Sequence, residues 1–428
     1  MRKVLTRDDV IFVIHNGIRF DIPVLEKLLN IKIKAKIVDS LALSWTMFPD
    51  RNRHGLESWG NDFGVPKPKV VDWENEPIEV YVNRCQEDVK INVRVWNYIW
   101  TKLKSLYPKE EKLWEYIDYI MFKMQCARLQ EESGWKVDVE YCENSLKELL
   151  EERTIRVDRL RQLMPKVPIK SVKTPPKRMV RQDGTKTKIG QSWSDLLAQL
   201  NLPENTSEVE ITEAYEEGNP SSTKQVKDWL FSLGWKPKTF KYLKDKETKE
   251  TREIPQINLE NGKGICFSIK ELYEIEPHLE LLDGLSILNH RIPMLKNFLD
   301  SRDKNNKIKA QVRGLTNTLR FQHAEPCVNL PRVGRLHAES IRGSLIAPDG
   351  YILCGADMSG LEDRLKQHYI YPLDPEYVKS MNREDYDPHL TLALSAGMIT
   401  KLQMDNYISG EDKSIKPIRD QAKNGNYA

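Results

Sequence analysis

The sequence of 428 residues has none of the short signatures that would assign it to a protein class at once. Its six cysteines include no C-x-x-C pair, which argues against a zinc site or a disulfide framework and favours a reduced, intracellular protein. No apolar run is long enough to cross a membrane, and the first residues lack the apolar core of a signal peptide. These absences predict a cytoplasmic protein without a membrane partner.

Net charge is another feature that the sequence has little of. The 66 Lys and Arg residues are balanced by 63 Asp and Glu residues, so a formal charge of +3 does not by itself indicate a nucleic-acid partner. The proline-rich segment 165–190 is a local exception, because it holds eight Lys or Arg residues and only one Asp. This composition predicts a flexible, exposed arm whose contacts with DNA weaken as salt rises.

Strands and helices alternate in the pattern of the first hundred residues. The apolar run 10–14 predicts a buried strand that leads through Asn16 into a helix starting near Asp21. A second strand and helix follow around 36–41, and 77–106 has the spacing of an amphipathic helix. The predicted apolar positions of that helix include Tyr81, Cys85, Val89, Trp96 and Trp100. The alternation predicts an α/β domain.

The rest of the chain is predominantly helical in pattern. Two long helices are predicted over about 110–132 and 140–164, with Gly134 as a stop signal and Asp138 as an N-cap between them. The later patterns predict, in chain order, a helix from Asn219 to Gly234, a hairpin within 240–266 that contains Asn261-Gly262, a helix over 269–299 interrupted at Pro277 or Pro293, and a strand over 351–357 that runs into a helix.

Asp357 is the first residue that suggests chemistry. It ends the predicted strand, and Ser359-x-x-Glu362 has the spacing of a capping box at the start of the next helix. A carboxylate beside helix N-terminal amides is well placed to hold a divalent metal near phosphates. The simpler interpretation, that Asp357 only ends a strand, is favoured by spacing alone.

The sequence near residue 428 places two cations and an aromatic ring on one helix face. Arg419, Lys423 and Tyr427 are four residues apart, so they form one stripe if the segment is helical. Such a stripe suits a triphosphate with a base stacked beyond it. An ordinary solvated basic face with a packed tyrosine is the alternative.

Two further groups of residues suggest phosphodiester chemistry. Asn16, Asp21 and Asp88 would hold the two metals of a hydrolase if the fold brings them together, although Asn16 also suits a turn and Asp21 a helix start. The polar and basic stretch from Arg313 to Arg335 would track a nucleic-acid backbone, or form an ordinary surface loop.

The order of these motifs resembles that of the polymerase I-like family A DNA polymerases, especially the phage replicative type with a proofreading domain. The segment Asp357-Met-Ser-Gly-Leu-Glu362-Asp-Arg364 is similar to the family's motif A, and Asp387-Pro-His389 is similar to its Asp-x-His. Thr318-Leu-Arg320 and Asn329-Leu-Pro331 resemble the family's Thr-Gly-Arg and Pro-Asn-Leu, with Leu319 replacing a glycine. The stretch from Arg419 to Ala428 resembles motif B, and Asn219-Pro-Ser-Ser resembles the thumb signature.

This resemblance implies a role for each candidate residue. Asp357 would coordinate Mg²⁺, Arg419 and Lys423 would hold the triphosphate, and Tyr427 would stack beside the nascent base pair. Nucleotide binding would involve Glu362, Arg364 and His389, and DNA binding would involve Arg320 and Asn329. The exonuclease site would consist of Asn16, Asp21 and Asp88, and the two aspartates would bind metal.

Two family motifs are missing. The first exonuclease motif, Asp-x-Glu, is absent, and the third has Arg84 where the family has a tyrosine, with Tyr81 one turn away. The family's His-Asp-Glu motif, which carries the second palm carboxylate, is also absent. We therefore expect a polymerase truncated at both ends, with one palm carboxylate and a nucleotide grip.

The expected architecture is multidomain, of α/β and α+β class. A partial ribonuclease H-like exonuclease domain would span 1–106, linker helices and a helical thumb 107–310, and a partial palm with the start of the fingers 311–428. The expected function is template-directed DNA synthesis by a fragment that needs a second polypeptide. A non-catalytic fragment that binds primer–template and a 3′–5′ exonuclease are the alternatives, and the missing first motif argues against the latter.

The expected partners follow from the same resemblance. They are primer–template DNA, deoxynucleoside triphosphates and a complementary polymerase fragment, with Mg²⁺ as the cofactor. The expected location is the cytoplasm, which is that of the host if the protein is of phage origin.

Overall fold

The chain folds into two compact units, residues 1–351 and 352–428. The computed structural model describes residues 2–245, 250–259, 264–383 and 386–426, with only the backbone at 424 and 426. The architecture is mixed, with helices packed around sheets that have two or three strands among the described residues. This confirms the combination of α and β structure that the sequence predicts.

The first unit contains twelve helices among its described residues. They are α1 (Arg2–Leu5), α2 (Asp21–Leu29), α3 (Ser40–Met47), α4 (Leu56–Asp62), α5 (Ile78–Leu106), α6 (Glu110–Ser133), α7 (Val139–Leu163), α8 (Lys188–Gln199), α9 (Thr223–Ser232), α10 (Phe267–Lys270), α11 (Leu285–Asp300) and α12 (Ala338–Arg342). Two short 3₁₀ helices, Glu271–Glu274 and Pro277–Leu282, lie between α10 and α11.

The strands of the first unit are short. They are β1 (Ile11–Ile14), β2 (Lys36–Asp39), β3 (Trp135–Val137), β4 (Val167–Lys173), β5 (Val209–Glu216), β6 (Phe240–Lys244), β7 (Thr251–Pro255), β8 (Lys307–Ile308), β9 (Val312–Leu315), β10 (Phe321–His323) and β11 (Leu345–Ile346). Strands β1 and β2 are parallel, β3 lies between β8 and β11, and the pairs β4–β5, β6–β7 and β9–β10 are antiparallel.

The first core packs β1 and β2 against α3, α5 and α6. Both predicted strands and the start of α2 at Asp21 are confirmed, but β1 is only partly buried, with Ile11 about half exposed. The predicted face of α5 is wrong in its first half, because Cys85 and Val89 are exposed. The buried stripe begins instead at Ile91 and continues at the same helical spacing through Val95, Ile99 and Leu103.

Helix α7 joins two further cores of the first unit. Gly134 ends α6 with a φ of 61°, and the carboxylate of Asp138 accepts a hydrogen bond from the backbone N–H of Tyr141 at the start of α7. Both predicted signals are therefore confirmed. Leu149 packs with α11, whereas Val157 and Leu160 pack with α9 and the residues around the 3₁₀ helices.

The basic segment 165–190 is largely exposed, as predicted, but its first part is an ordered strand and not a flexible arm, which corrects the sequence prediction. Its first part forms β4, which pairs along its length with β5. Lys170 and Lys173 form ion pairs with Glu210 (2.6 Å) and Glu213 (2.5 Å) of β5. The prediction failed because these partner carboxylates lie about 40 residues further along the chain.

The segment between α9 and α11 follows most of its predicted pattern. Helix α9 begins after Ser222, which caps it, and the hairpin predicted within 240–266 is formed by β6 and β7. Asn261-Gly262 lies outside the described residues. The predicted interruption falls at Pro277, which begins a 3₁₀ helix, and Pro293 lies inside α11.

A largely buried ion pair joins three distant parts of the first unit. The guanidinium of Arg19, in the loop before α2, donates to the carboxylate of Glu131 on α6, with 3.1 Å between Nε and Oε2. The same guanidinium donates to the carbonyl oxygen of Val312, and the N–H of Val312 donates to Glu131 Oε1 at 2.8 Å. Strand β9 is thereby attached to α6.

The second unit contains five helices among its described residues. They are α13 (Leu361–Ile370), α14 (Pro375–Met381), α15 (Pro388–Ser395), α16 (Lys401–Ser409) and α17 (Lys416–Asn426). The predicted strand over 351–357 is wrong: these residues have no regular secondary structure, and Ile352 is 83% exposed. A strand needs a neighbour for its backbone hydrogen bonds, and no described residue pairs with this segment.

None of the helices that the structure describes combines the length and apolar character needed to cross a membrane.

The replacement Arg19→Met tests whether the ion pair stabilises the first unit. It leaves the carboxylate of Glu131, whose side chain is only 14% exposed, without its cation, so the free energy of unfolding should fall by about 3–5 kcal/mol. Denaturant unfolding gives this value. Arg7→Met is the control, because Arg7 and Asp9 form an exposed pair that water screens, so its loss should change stability much less. Equal effects of the two replacements would contradict a structural role for Arg19.

Candidate functional site

The carboxyl ends of β1 and β2 form a polar edge organised by Asp39. The Asp39 carboxylate, which is buried, accepts hydrogen bonds from the backbone N–H groups of Asn16 (3.0 Å) and Ile18 (3.3 Å) in the loop after β1. It also accepts from Leu41 and Ala42 at the start of α3. Burial raises the pKa of Asp39, and the four N–H groups oppose this shift.

A second chain of hydrogen bonds crosses the same edge. The Nδ1 atom of His15 lies 3.0 Å from the hydroxyl of Ser40, which donates to the side-chain oxygen of Asn92 at 2.6 Å. The Asn92 amide donates to the carbonyl oxygen of Val13. Burial, with a contribution from the charge of Lys67, lowers the pKa of His15 to about 4. The imidazole is therefore neutral at pH 7.

The predicted exonuclease residues lie around this edge but not as a metal-binding set. Asn16 turns the chain with a φ of 63°, and Asp21 is the first residue of α2, where partial burial raises its pKa. The Asp88 carboxylate lies 3.0 Å from Nζ of Lys67 and 3.6 Å from Nε of Arg84. Lys67 and Arg84 thus contact Asp88, the carboxylate that the sequence predicts to bind metal.

These contacts do not fit a metal centre at the exonuclease position. Divalent cations need several oxygen ligands, and Asp88 is already neutralised by Lys67 and Arg84. Within the described ranges, no group of three or more His, Cys, Asp or Glu side chains is arranged to hold a metal ion.

The predicted DNA-binding stretch contains a β-hairpin, formed by β9 and β10. Thr316 to Arg320 form its turn, where the hydroxyls of Thr316 and Thr318 lie 3.0 Å apart. Leu319 has a φ of 59°, the left-handed region that favours glycine, which gives a physical reason for glycine in the similar family motif. Arg320 is exposed at the end of this turn, and Asn329 is exposed further along with a φ of 51°.

The candidate nucleotide grip of the second unit is built on α15 and α17. Asp387 caps α15 by accepting from the N–H groups of His389 and Leu390. It also binds the guanidinium of Arg419 on α17, at 2.7 Å from Nε and 2.6 Å from Nη2. Burial lowers the pKa of His389; the carboxylate of Asp387 opposes this shift, and the positive charges of Arg419 and Lys423 add to it. The structure therefore brings these three predicted residues close together.

The motif A residues of the second unit are exposed. Asp357 lies in the irregular segment before α13, and Glu362 lies in the first turn of that helix. The predicted capping box at Ser359 is wrong, because Gly360 is the N-cap residue and has no side chain to accept a bond. Arg364 donates to the side-chain oxygen of Asn382 at 3.3 Å. Tyr427, the predicted stacking residue, lies outside the described residues.

The sequence analysis does not identify Asp39 as a site residue, and it does not predict the ion pair of Asp387. Asp39 follows a predicted strand and precedes a helix, the same signal that drew attention to Asp357, yet it was not singled out. Asp387 was noticed only as part of Asp-Pro-His. Its pairing with Arg419, 32 residues away, leaves no local trace in the sequence.

Comparisons with known proteins give a structural match and no sequence match. No protein-family model and no curated protein matches the sequence. Among solved structures, the chain is similar to the POL domain of Pol1 from M. smegmatis in complex with DNA primer-template and dNTP, with a TM-score of 0.60 and 14% identity. The match covers 100% of this chain and 59% of that one. At this identity, the likeness shows a shared polymerase fold.

The pKa of His15 makes the stability of the first unit pH-dependent. Below pH 6.5 the unfolded chain protonates His15, whereas the folded protein does so only near pH 4. The free energy of unfolding should therefore fall by about 3 kcal/mol from this group as pH drops from 6.5 to 4. The replacement His15→Gln should remove that part of the fall, measured by denaturant unfolding at several pH values.

Wild type is the reference for this experiment, and contributions from other groups, such as Asp39, are common to both proteins. If His15→Gln and wild type lose stability equally, the imidazole of His15 is not held neutral by the fold.

Proposed function

We propose that the chain takes part in template-directed DNA synthesis, in which it binds primer–template DNA and a deoxynucleoside triphosphate. The observation that carries this proposal is the cluster of Arg419, Lys423 and His389 on α15 and α17. The polymerase fold supports it, because the similar Pol1 structure is a complex with DNA primer-template and dNTP.

The geometry of α17 suits a triphosphate. Arg419 and Lys423 are one turn apart, and the ion pair with Asp387 fixes the direction of the Arg419 guanidinium. Lys423 is exposed and has no ion-pair partner among the described residues. Arg419 is paired with Asp387 and, at 3.9 Å, with Asp420, so the uncompensated positive charge of this face is that of Lys423, which favours an anionic ligand.

The expected domain roles remain part of the proposal. Residues 1–106 would correspond to an exonuclease-like domain, 107–310 to linker helices and a thumb, and 311–428 to part of a palm and fingers. In this assignment Arg320 and Asn329 contact primer–template, and Glu362 and Arg364 contact the nucleotide. Tyr427 would stack beside the base pair.

The metal chemistry of synthesis would centre on Asp357. The described residues around it do not assemble a metal site, since no group of three or more His, Cys, Asp or Glu side chains is arranged for one. We propose that a further polypeptide supplies the remaining carboxylate, so that Mg²⁺ binds only in the combined enzyme.

A non-catalytic role in primer–template binding is the second candidate. It is favoured because the described residues around Asp357 do not assemble a metal site. The ion pairs of Asp88 weigh against the exonuclease alternative. Both candidates require DNA binding, and they differ in whether a second polypeptide restores synthesis.

The replacement Lys423→Ala tests the triphosphate site. It removes one charge-assisted contact worth about 1.5–3 kcal/mol, so the affinity for a fluorescent deoxynucleoside triphosphate should fall about tenfold or more. Equilibrium fluorescence titration measures this. Lys416→Ala is the matched control, because Lys416 is exposed in the first turn of the same helix. Equal affinity of wild type and Lys423→Ala would contradict the assignment.

Primer extension tests the need for a second polypeptide. The purified chain, with Mg²⁺ and all four deoxynucleoside triphosphates, should bind a labelled primer–template in an anisotropy assay but should not extend it. Extension by the chain alone would contradict the proposed requirement for a partner. Absence of DNA binding would contradict both candidate functions.

A further inference from the structure

A polar cleft of about 850 Å³ lies within the first unit, beside the hairpin whose turn carries Arg320. One wall is the segment Leu41–Gly55, which contains the end of α3 and the loop before α4. The other wall is the hairpin of β9 and β10. The volume falls within the range of about 300–1,000 Å³ that is usual for ligand-binding clefts.

The charged side chains that line this cleft are all basic. Among the described residues that line it, there are two arginines and a histidine but no Asp or Glu. Arg51 is already bound to Asp62 and stacked on Trp59. Arg313 is exposed, and no described residue forms an ion pair with it. An anion would therefore find an uncompensated guanidinium at Arg313.

The remaining lining combines neutral hydrogen-bonding groups with an aromatic ring. Asn52, Asn317 and Thr318 are exposed and present amide and hydroxyl groups. The indole of Trp45 is partly buried beside Gly314, where a Cβ atom would lie 3.6 Å from it. A flat aromatic face next to a cation and neutral donors is the combination that binds bases and phosphates of single strands.

The walls of the cleft are held in place by contacts in the core. The hairpin wall is attached to α6 through Val312, which hydrogen-bonds with Arg19 and Glu131. In the other wall, the indole N–H of Trp59 donates to the Ser44 hydroxyl, which lies 2.8 Å from Nδ1 of His54. Both walls are thus preformed without a ligand, which lowers the entropy cost of binding.

We infer that this cleft binds single-stranded DNA, with a phosphate on Arg313 and a base against Trp45. A nucleotide unit satisfies each feature of the lining: negative charge for Arg313, polar edges for the amides, and a π face for the indole. The cleft shares no residue with the proposed triphosphate site on α17, but it lies on the same hairpin as Arg320, so the inference rests in part on the proposed DNA binding.

The test measures binding of a short fluorescent oligothymidylate by anisotropy over a range of salt concentrations, without triphosphate. Arg313→Ala should weaken binding about tenfold at low salt, and it should reduce the slope of log affinity against log salt by about 0.7, as expected for one lost phosphate contact. Lys170→Ala is the matched control, because its ammonium group is paired with Glu210 and should leave the slope unchanged.

A second variant places a carboxylate in the cleft without removing a contact. Gly55 lines the cleft with a φ of −66°, and a Cβ atom there would meet nothing within 4 Å. Gly55→Glu should therefore weaken the binding of the oligothymidylate by repulsion, and the fold should tolerate it because Gly55 precedes a helix N-terminus. Thermal unfolding checks that the fold is retained.

Three outcomes would overturn the inference. Wild-type affinity in both Arg313→Ala and Gly55→Glu would show that the strand binds elsewhere. Loss of binding in Lys423→Ala but not in Arg313→Ala would place the strand at the triphosphate site. The third outcome is that, in a competition assay, free thymidine monophosphate displaces the labelled strand at the same nucleotide concentration as unlabelled oligothymidylate does. That result would mean that the cleft binds a free nucleotide and not a strand.

Discussion

The ion pair of Arg19 and Glu131 is the contact on which the arrangement of the first unit depends. Arg19 lies 112 residues from Glu131 and 293 residues from Val312, and one guanidinium bonds to both. Because both side chains are largely buried, either charge without the other would be strongly destabilising, so the pair gives β9 a defined position against α6. The hairpin with Arg313 and Arg320, and one wall of the cleft, follow from that position.

The parts of the fold that could be predicted are those specified by local signals. Gly134 ends α6 and Asp138 caps α7, and both act through backbone groups within a few residues. Predictions failed where the partner is distant. The segment 165–190 was predicted to be flexible, but its first part pairs with β5, which supplies Glu210 and Glu213. The segment 351–357 was predicted to be a strand, but no described neighbour pairs with it.

The candidate sites show the same division. The spacing of Arg419 and Lys423 predicted their common helix face, and the structure places His389 near them. No local feature of the sequence predicts that Asp387 binds Arg419 or that Lys67 neutralises Asp88. The cleft between Trp45 and Arg313 joins segments more than 250 residues apart, so it exists only in the folded chain.

We propose that the chain binds DNA through the hairpin of β9 and β10 and a deoxynucleoside triphosphate through α17. Hydrogen exchange of backbone amides, measured with and without primer–template DNA and a deoxynucleoside triphosphate, tests this most directly. We predict slower exchange at 312–323 and 416–423 on binding, with β4 and β5 unchanged. Protection confined to β4 and β5, or no protection anywhere, would contradict the account.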